Sequence, residues 1–120
     1  MANPNIVNVT AIYGNTAAAG LATTNAAIVS NASGSGKIYK INSLYICNSH
    51  GSASADVTIE HVAGNVRIPL ASTVAVAADS TVVLITKDTA LYLMESQTLN
   101  GVANLVSHLN YLCSWDEINA

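Results

Sequence analysis

A chain of 120 residues is the size of a single domain, long enough to bury roughly two thirds of the surface its unfolded form exposes without a metal or disulfide staple. Charged residues make up 9%, against about 25% in an ordinary soluble protein, so the surface must be nearly neutral, as one covered by neighbouring subunits can be. The only basic residues are Lys37, Lys40, Arg67 and Lys87, for a net charge of -3, which argues against nucleic acid, because phosphate binding draws on clustered Lys and Arg.

The first residues, MANPNIVNVT, lack the basic and long apolar segments of a secretory signal, which predicts synthesis in a cytosol. No aliphatic stretch approaches the roughly 20 residues that cross a bilayer, so no membrane partner is expected. Residues 1–15 read as an N-terminal strand or arm and 16–120 as a single domain. Asn3-Pro4-Asn5 resists regular structure. The apolar run that follows suits strand addition to a neighbour's sheet edge, making Ile6, Val7, Val9, Ile12 and Tyr13 the candidate assembly interface. Residues 16–29 are rich in Ala but carry Gly20 and several Thr and Asn, which predicts a loop leading into a strand rather than a helix.

Strands are predicted at 6–13, 26–30, 37–48, 55–63, 66–70, 81–86, 91–95 and 105–115, with added pieces at 74–77 and 98–103. The turn-rich breaks between them recur every 8 to 15 residues or so, the rhythm of an all-β antiparallel sandwich or jelly roll of about seven or eight strands. In KIYKINSLYICN, strict two-residue alternation separates Tyr39, Ile41, Ser43, Tyr45 and Cys47 from Ile38, Lys40, Asn42, Leu44, Ile46 and Asn48. Leu105, Leu109, Tyr111, Cys113 and Trp115 share the core side of the last strand. Leu44, Ile46, Val57, Ile59, Val83, Ile85, Leu91, Leu93, Leu109 and Tyr111 form the expected core.

No motif predicts catalysis, a cofactor or a metal. Cys47 and Cys113 show no CxxC spacing and read as buried free thiols. His50, His61 and His108 show no metal-ligand spacing. SGSGK at 33–37 lacks both the upstream Gly and the following Ser or Thr of a phosphate loop. The carboxylates are dispersed, and the sequons at Asn8 and Asn31 read as chance in a chain so rich in Asn, Ser and Thr.

Across nearly its full length the sequence is similar to small virion structural proteins of tailed bacteriophages, especially those of cyanobacteria and other aquatic hosts. The segments that carry this are NIVNVTAIYG, KIYKINSLYICNSHGSASADVTIEHVAG, IPLASTVAVAADSTVVLITKDTALYLMESQTLNGVAN and the closing CSWDEI. The resemblance implies a compact β-sandwich or jelly roll without catalytic residues. It further implies a capsid decoration, or cement, protein on the major capsid protein of a virion made in a bacterial cytoplasm, and the chain is expected to form a homo-oligomer, with a trimer as the expected form. A neck or tail accessory ring is the alternative. Where such relatives often have Gly-Asp, this chain has Ser96-Gln97, which puts the tightness of that turn in question. A reading of another class is a carbohydrate-binding β-sandwich, using Trp115 and tyrosines 13, 39, 45, 92 and 111.

Overall fold

The computed structural model describes residues 11–119. Nine strands follow in order: β1 (Ala11–Gly20), β2 (Ala26–Ser30), β3 (Lys37–Asn48), β4 (Ala55–Ala63), β5 (Val66–Val76), β6 (Ser80–Ile85), β7 (Leu91–Leu93), β8 (Gln97–Ala103) and β9 (Leu109–Asn119). A single 3-10 turn, Lys87–Thr89, precedes β7. The first sheet runs β1-β9-β3-β6, with β7 also pairing β3, and the second runs β2-β8-β4-β5. Every pairing is antiparallel. The two sheets bury their facing sides against each other as an all-β sandwich, as the turn rhythm predicts.

The predicted spans of β2, β3 and β4 match the structure residue for residue. β5 runs on from residue 70 to Val76, absorbing the piece at 74–77, and the piece at 98–103 becomes β8. The predicted strand at 6–13 is described only from Ala11, and from there β1 continues to Gly20 through residues expected to be loop. Ala, Gly and Asn are poor strand formers, yet β1 stays in unbroken register with β9 from Ala11↔Asn119 to Gly20↔Asn110. Pairing with a neighbour outweighs intrinsic preference here. The boundary drawn at residue 15 therefore falls inside a strand. At the other end, residues 105–108 are a turn, and β9 starts at Leu109.

Strict alternation along β3 does not survive. The register with β9 shifts between Ile41 and Ser43, leaving Asn42 without an opposite residue. This bulge moves the inward face from Tyr39 and Ile41 to Leu44, Ile46 and Asn48. The core then collects Ile41, Leu44 and Ile46 from β3, Val57 and Ile59 from β4, Leu93, Leu99, Leu109 and Cys113, all fully or almost fully buried. Of the predicted core, Leu91 and Tyr111 are partly buried against it. Val83 is a correction: it is 49% exposed, because a register shift in the β3–β6 pairing lets Val82, Leu84 and Ile85 take the inward positions instead. Leu105 is likewise exposed in its turn.

Two buried asparagines fasten opposite ends of the sandwich. The Asn31 side chain donates to the carbonyls of Lys37 and Leu93, both at 3.0 Å, and accepts from Ser35 Oγ at 2.6 Å. Asn48 donates to the carbonyls of Ala53 and Val76, both at 2.9 Å, and accepts from the His50 N–H at 3.0 Å. Each satisfies backbone groups that a loop between sheets would otherwise bury unpaired.

Candidate assembly surface

The four strands that end the two sheet orders, β1, β6, β2 and β5, differ in their construction. β5 carries Arg67 and Pro69, two register shifts against β4, and Thr73 in a left-handed conformation (φ 53°). Proline, charge and bulges are the means by which proteins blunt an edge. β2 has five residues and a register shift, and β6 has six residues and a shift. β1 has none of these: ten residues, no proline, no charge and an unbroken register, with one side paired to β9 and the other at the sheet's margin among the described residues.

Of the candidate interface residues, Ile6, Val7 and Val9 lie outside the described residues. Ile12 and Tyr13 lie on β1 opposite Ile118 and Glu117. Their backbones thus belong to the chain's own sheet, while both side chains stand in the open. Sequence reasoning missed a second apolar surface, Val66, Ile68 and Leu70 on β5, all exposed. The i, i+2, i+4 spacing of VRIPL could have revealed it.

Charge is sparse across these surfaces. Lys37 Nζ meets Glu117 Oε1 at 2.7 Å, and Arg67 Nη1 meets Glu60 Oε1 at 3.3 Å. The hydrogen bond from Lys37 to Glu117 holds the ammonium's pKa above its usual value. Tyr39 also reaches Glu117 Oε1, at 3.3 Å, and its phenol is raised by burial first and by that carboxylate second. Burial alone pushes the Cys113 thiol up to about 12. Cys47 is half-buried rather than buried, a correction to the expected pair of core thiols. It lies opposite Asn110, whereas Cys113 lies opposite Leu44 in the core, so the two point to opposite faces of one sheet.

His50 and His108 stack with ring centroids 4.2 Å apart, joining the turns after β3 and before β9. His61 instead bonds Gln97 Oε1 at 3.1 Å. Among the described residues no three His, Cys, Asp or Glu side chains come together as metal ligands, and no pocket opens. Trp115 stacks on Tyr39 at 6.4 Å, and both pack against the core with Tyr111. The aromatics left exposed, Tyr13, Tyr45 and Tyr92, stand on three different strands. Asn31, a sequon residue, is buried as a structural pin.

The fold is thus that of a small antiparallel two-sheet sandwich. No protein-family model matches the chain, and no curated protein does. Among solved structures it is similar to a chain from Bacillus endospore appendages, described as a novel family of disulfide-linked pili. The TM-score is 0.56 over 99% of this chain and 96% of that one, at 17% identity. That likeness is one of fold. None of these comparisons bears on the resemblance to phage proteins.

Proposed function

We propose that this chain is a non-enzymatic structural subunit that works by assembling with copies of itself. The observation that carries this reading is the exposure of large apolar side chains on two sheet margins, Ile12 and Tyr13 on β1 and Val66, Ile68 and Leu70 on β5, in a chain with 9% charge. Apolar surface of this kind, with few ionic groups around it, is what subunit contacts bury. The fold shared with an endospore appendage chain supports the same class. The finer reading, from the sequence resemblance, is a capsid decoration protein seated on the major capsid protein. A second reading, favoured by the structural likeness, is the subunit of a fibre. In such a fibre Cys113 would be closed to cross-linking by its burial, leaving the half-buried Cys47 as the thiol within reach of a neighbour.

Light scattering across a concentration series, with electron microscopy of the purified chain, tests this. Self-assembly into particles larger than one chain is expected, and a monomer at every concentration would overturn the reading. Fibres formed by the chain alone would favour the second form. Small oligomers that coat purified capsids would favour the first.

A further inference from the structure

We infer that the outer edge of β1, unpaired among the described residues, is the acceptor in this assembly, and that what it accepts is the N-terminal segment, residues 2–10, of a second copy of the chain. The inference rests on the self-assembly reading above and names its contact.

The acceptor is chosen by construction. β1 alone among the edge strands combines length, unbroken register and freedom from proline and charge, and a long unguarded edge presents a row of N–H and C=O groups to any strand that fits. Its flanks are open as well, since Gly14, Thr16, Ala18 and Gly20 on one side and Asn15 and Ala19 on the other are small or polar and exposed. Past Tyr13 an incoming backbone therefore meets no bulky side chain. On the outer face, Ile38, Ile118 and Ile12 form a cross-strand apolar row. Exposure along it goes from 7% and 5% to 57% at β1, so the row stops in the open, one residue short of cover.

The donor is chosen by sequence. In the sequence that precedes β1, Ile6-Val7-Asn8-Val9-Thr10 has four β-branched residues out of five. Those residues suit a pleated strand, and an Ile or Val from them would extend the apolar row past Ile12. Residues 2–10, fully extended, reach about 30 Å, comparable with the ten-residue edge.

The sequence favours two different copies. To lie beside its own β1 the segment would have to reverse direction just before Ala11, which is already laddered to Asn119. A tight hairpin there needs Gly, Asn or Asp at the turn, and Val9-Thr10-Ala11-Ile12 supplies none. The Gly14-Asn15 pair, which could turn, is held straight opposite Asp116 and Trp115. Donor and acceptor are then different surfaces, a heterologous contact that propagates as a closed ring or an open filament.

Two full-length variants test the contact. Val7→Pro with Val9→Pro disables the donor by removing backbone donors, and Ala18→Lys with Ala19→Lys guards the acceptor at two exposed positions on opposite flanks. Thermal melts establish that each variant is folded. Each alone should run as a monomer in light scattering, while an equimolar mixture should give one dimer and nothing larger, the intact segment of one seated on the intact edge of the other. Hydrogen exchange in that dimer should show new protection within residues 11–20 of the proline variant. Assembly by either variant alone, a mixture that stays monomeric, or protection gained on β5 or β6 instead would overturn the inference while leaving self-assembly intact. A wild-type chain that never assembles would instead remove the functional reading on which it rests.

Discussion

Asn48 joins three segments through one amide. Replacing it with Ala removes two donations to the Ala53 and Val76 carbonyls and the acceptor of the His50 N–H. Asn48→Ala should cost about 2 to 4 kcal/mol in urea denaturation, because buried backbone groups lose partners that water cannot replace. Ser96 answers the question raised by its missing glycine. It adopts φ 66°, the left-handed conformation that glycine takes at no steric cost, and its N–H donates to the Asn31 carbonyl at 2.9 Å while the Gln97 N–H closes the turn on Met94 O at 3.2 Å. The turn is tight without glycine. Ser96→Gly should stabilise the fold by about 0.5 to 1 kcal/mol, read as a higher urea midpoint at unchanged slope. Cys113 governs an alkaline limb. Its folded pKa is raised, so its contribution is complete below the ordinary 9.0 and is lost as pH rises toward about 12. Tyr39, also raised, adds with the same sign. Melting temperature should fall across that window, and more shallowly in Cys113→Ala. Native Cys47 should react with a thiol reagent well before Cys113.

Among the elements, β3 shows most clearly how one residue sets a face. Its run of β-branched, aromatic and apolar residues marks a strand in the sequence, and its ends are legible to the residue. The bulge at Asn42 is not, because a bulge is defined by what lies across from it, here the step from Trp115 to Ser114 on β9. Deleting Asn42 would restore strict alternation and turn either Tyr39 and Ile41 or Leu44 and Ile46 out of the core. Loss of cooperative unfolding by circular dichroism is expected for the deletion, whereas Asn42→Ala should retain it. β1 is the converse case. Past Tyr13 nothing in β1 reads as a strand by propensity, and its half-open environment explains why it can be built of Ala and Gly: it fills no core and needs only backbone pairing with β9.

For the whole molecule, scarcity of charge is the property that reaches furthest. The two ion pairs among the described residues, Lys37–Glu117 and Arg67–Glu60, lie at the surface, where such pairs add little. Association should therefore persist in about 1 M salt, where screening extends only about 3 Å. Light scattering at low and high salt checks this, and dissociation on adding salt would show that ionic contacts hold the copies together.

Composition and the spacing of turns determined, without any coordinates, that this is an all-β antiparallel sandwich with a neutral surface, since both follow from local chemistry: which residues tolerate a pleat, which break it, and how few carry charge. The sequence also marked residues 6–13 as apolar and strand-prone. Most of the core was legible too, Leu44, Ile46, Val57, Ile59, Ile85, Leu93 and Leu109 among it, but where the inward face changes parity was decided only in three dimensions, at the register shifts that displaced Val83 and split β3 in two. The same is true of the sheet margins. An edge is a position in a sheet order, and β1 becomes one among the described residues because β9, whose residues lie 90 to 108 positions further along the chain, pairs with it on one side. Local sequence has no means of recording a neighbour that distant.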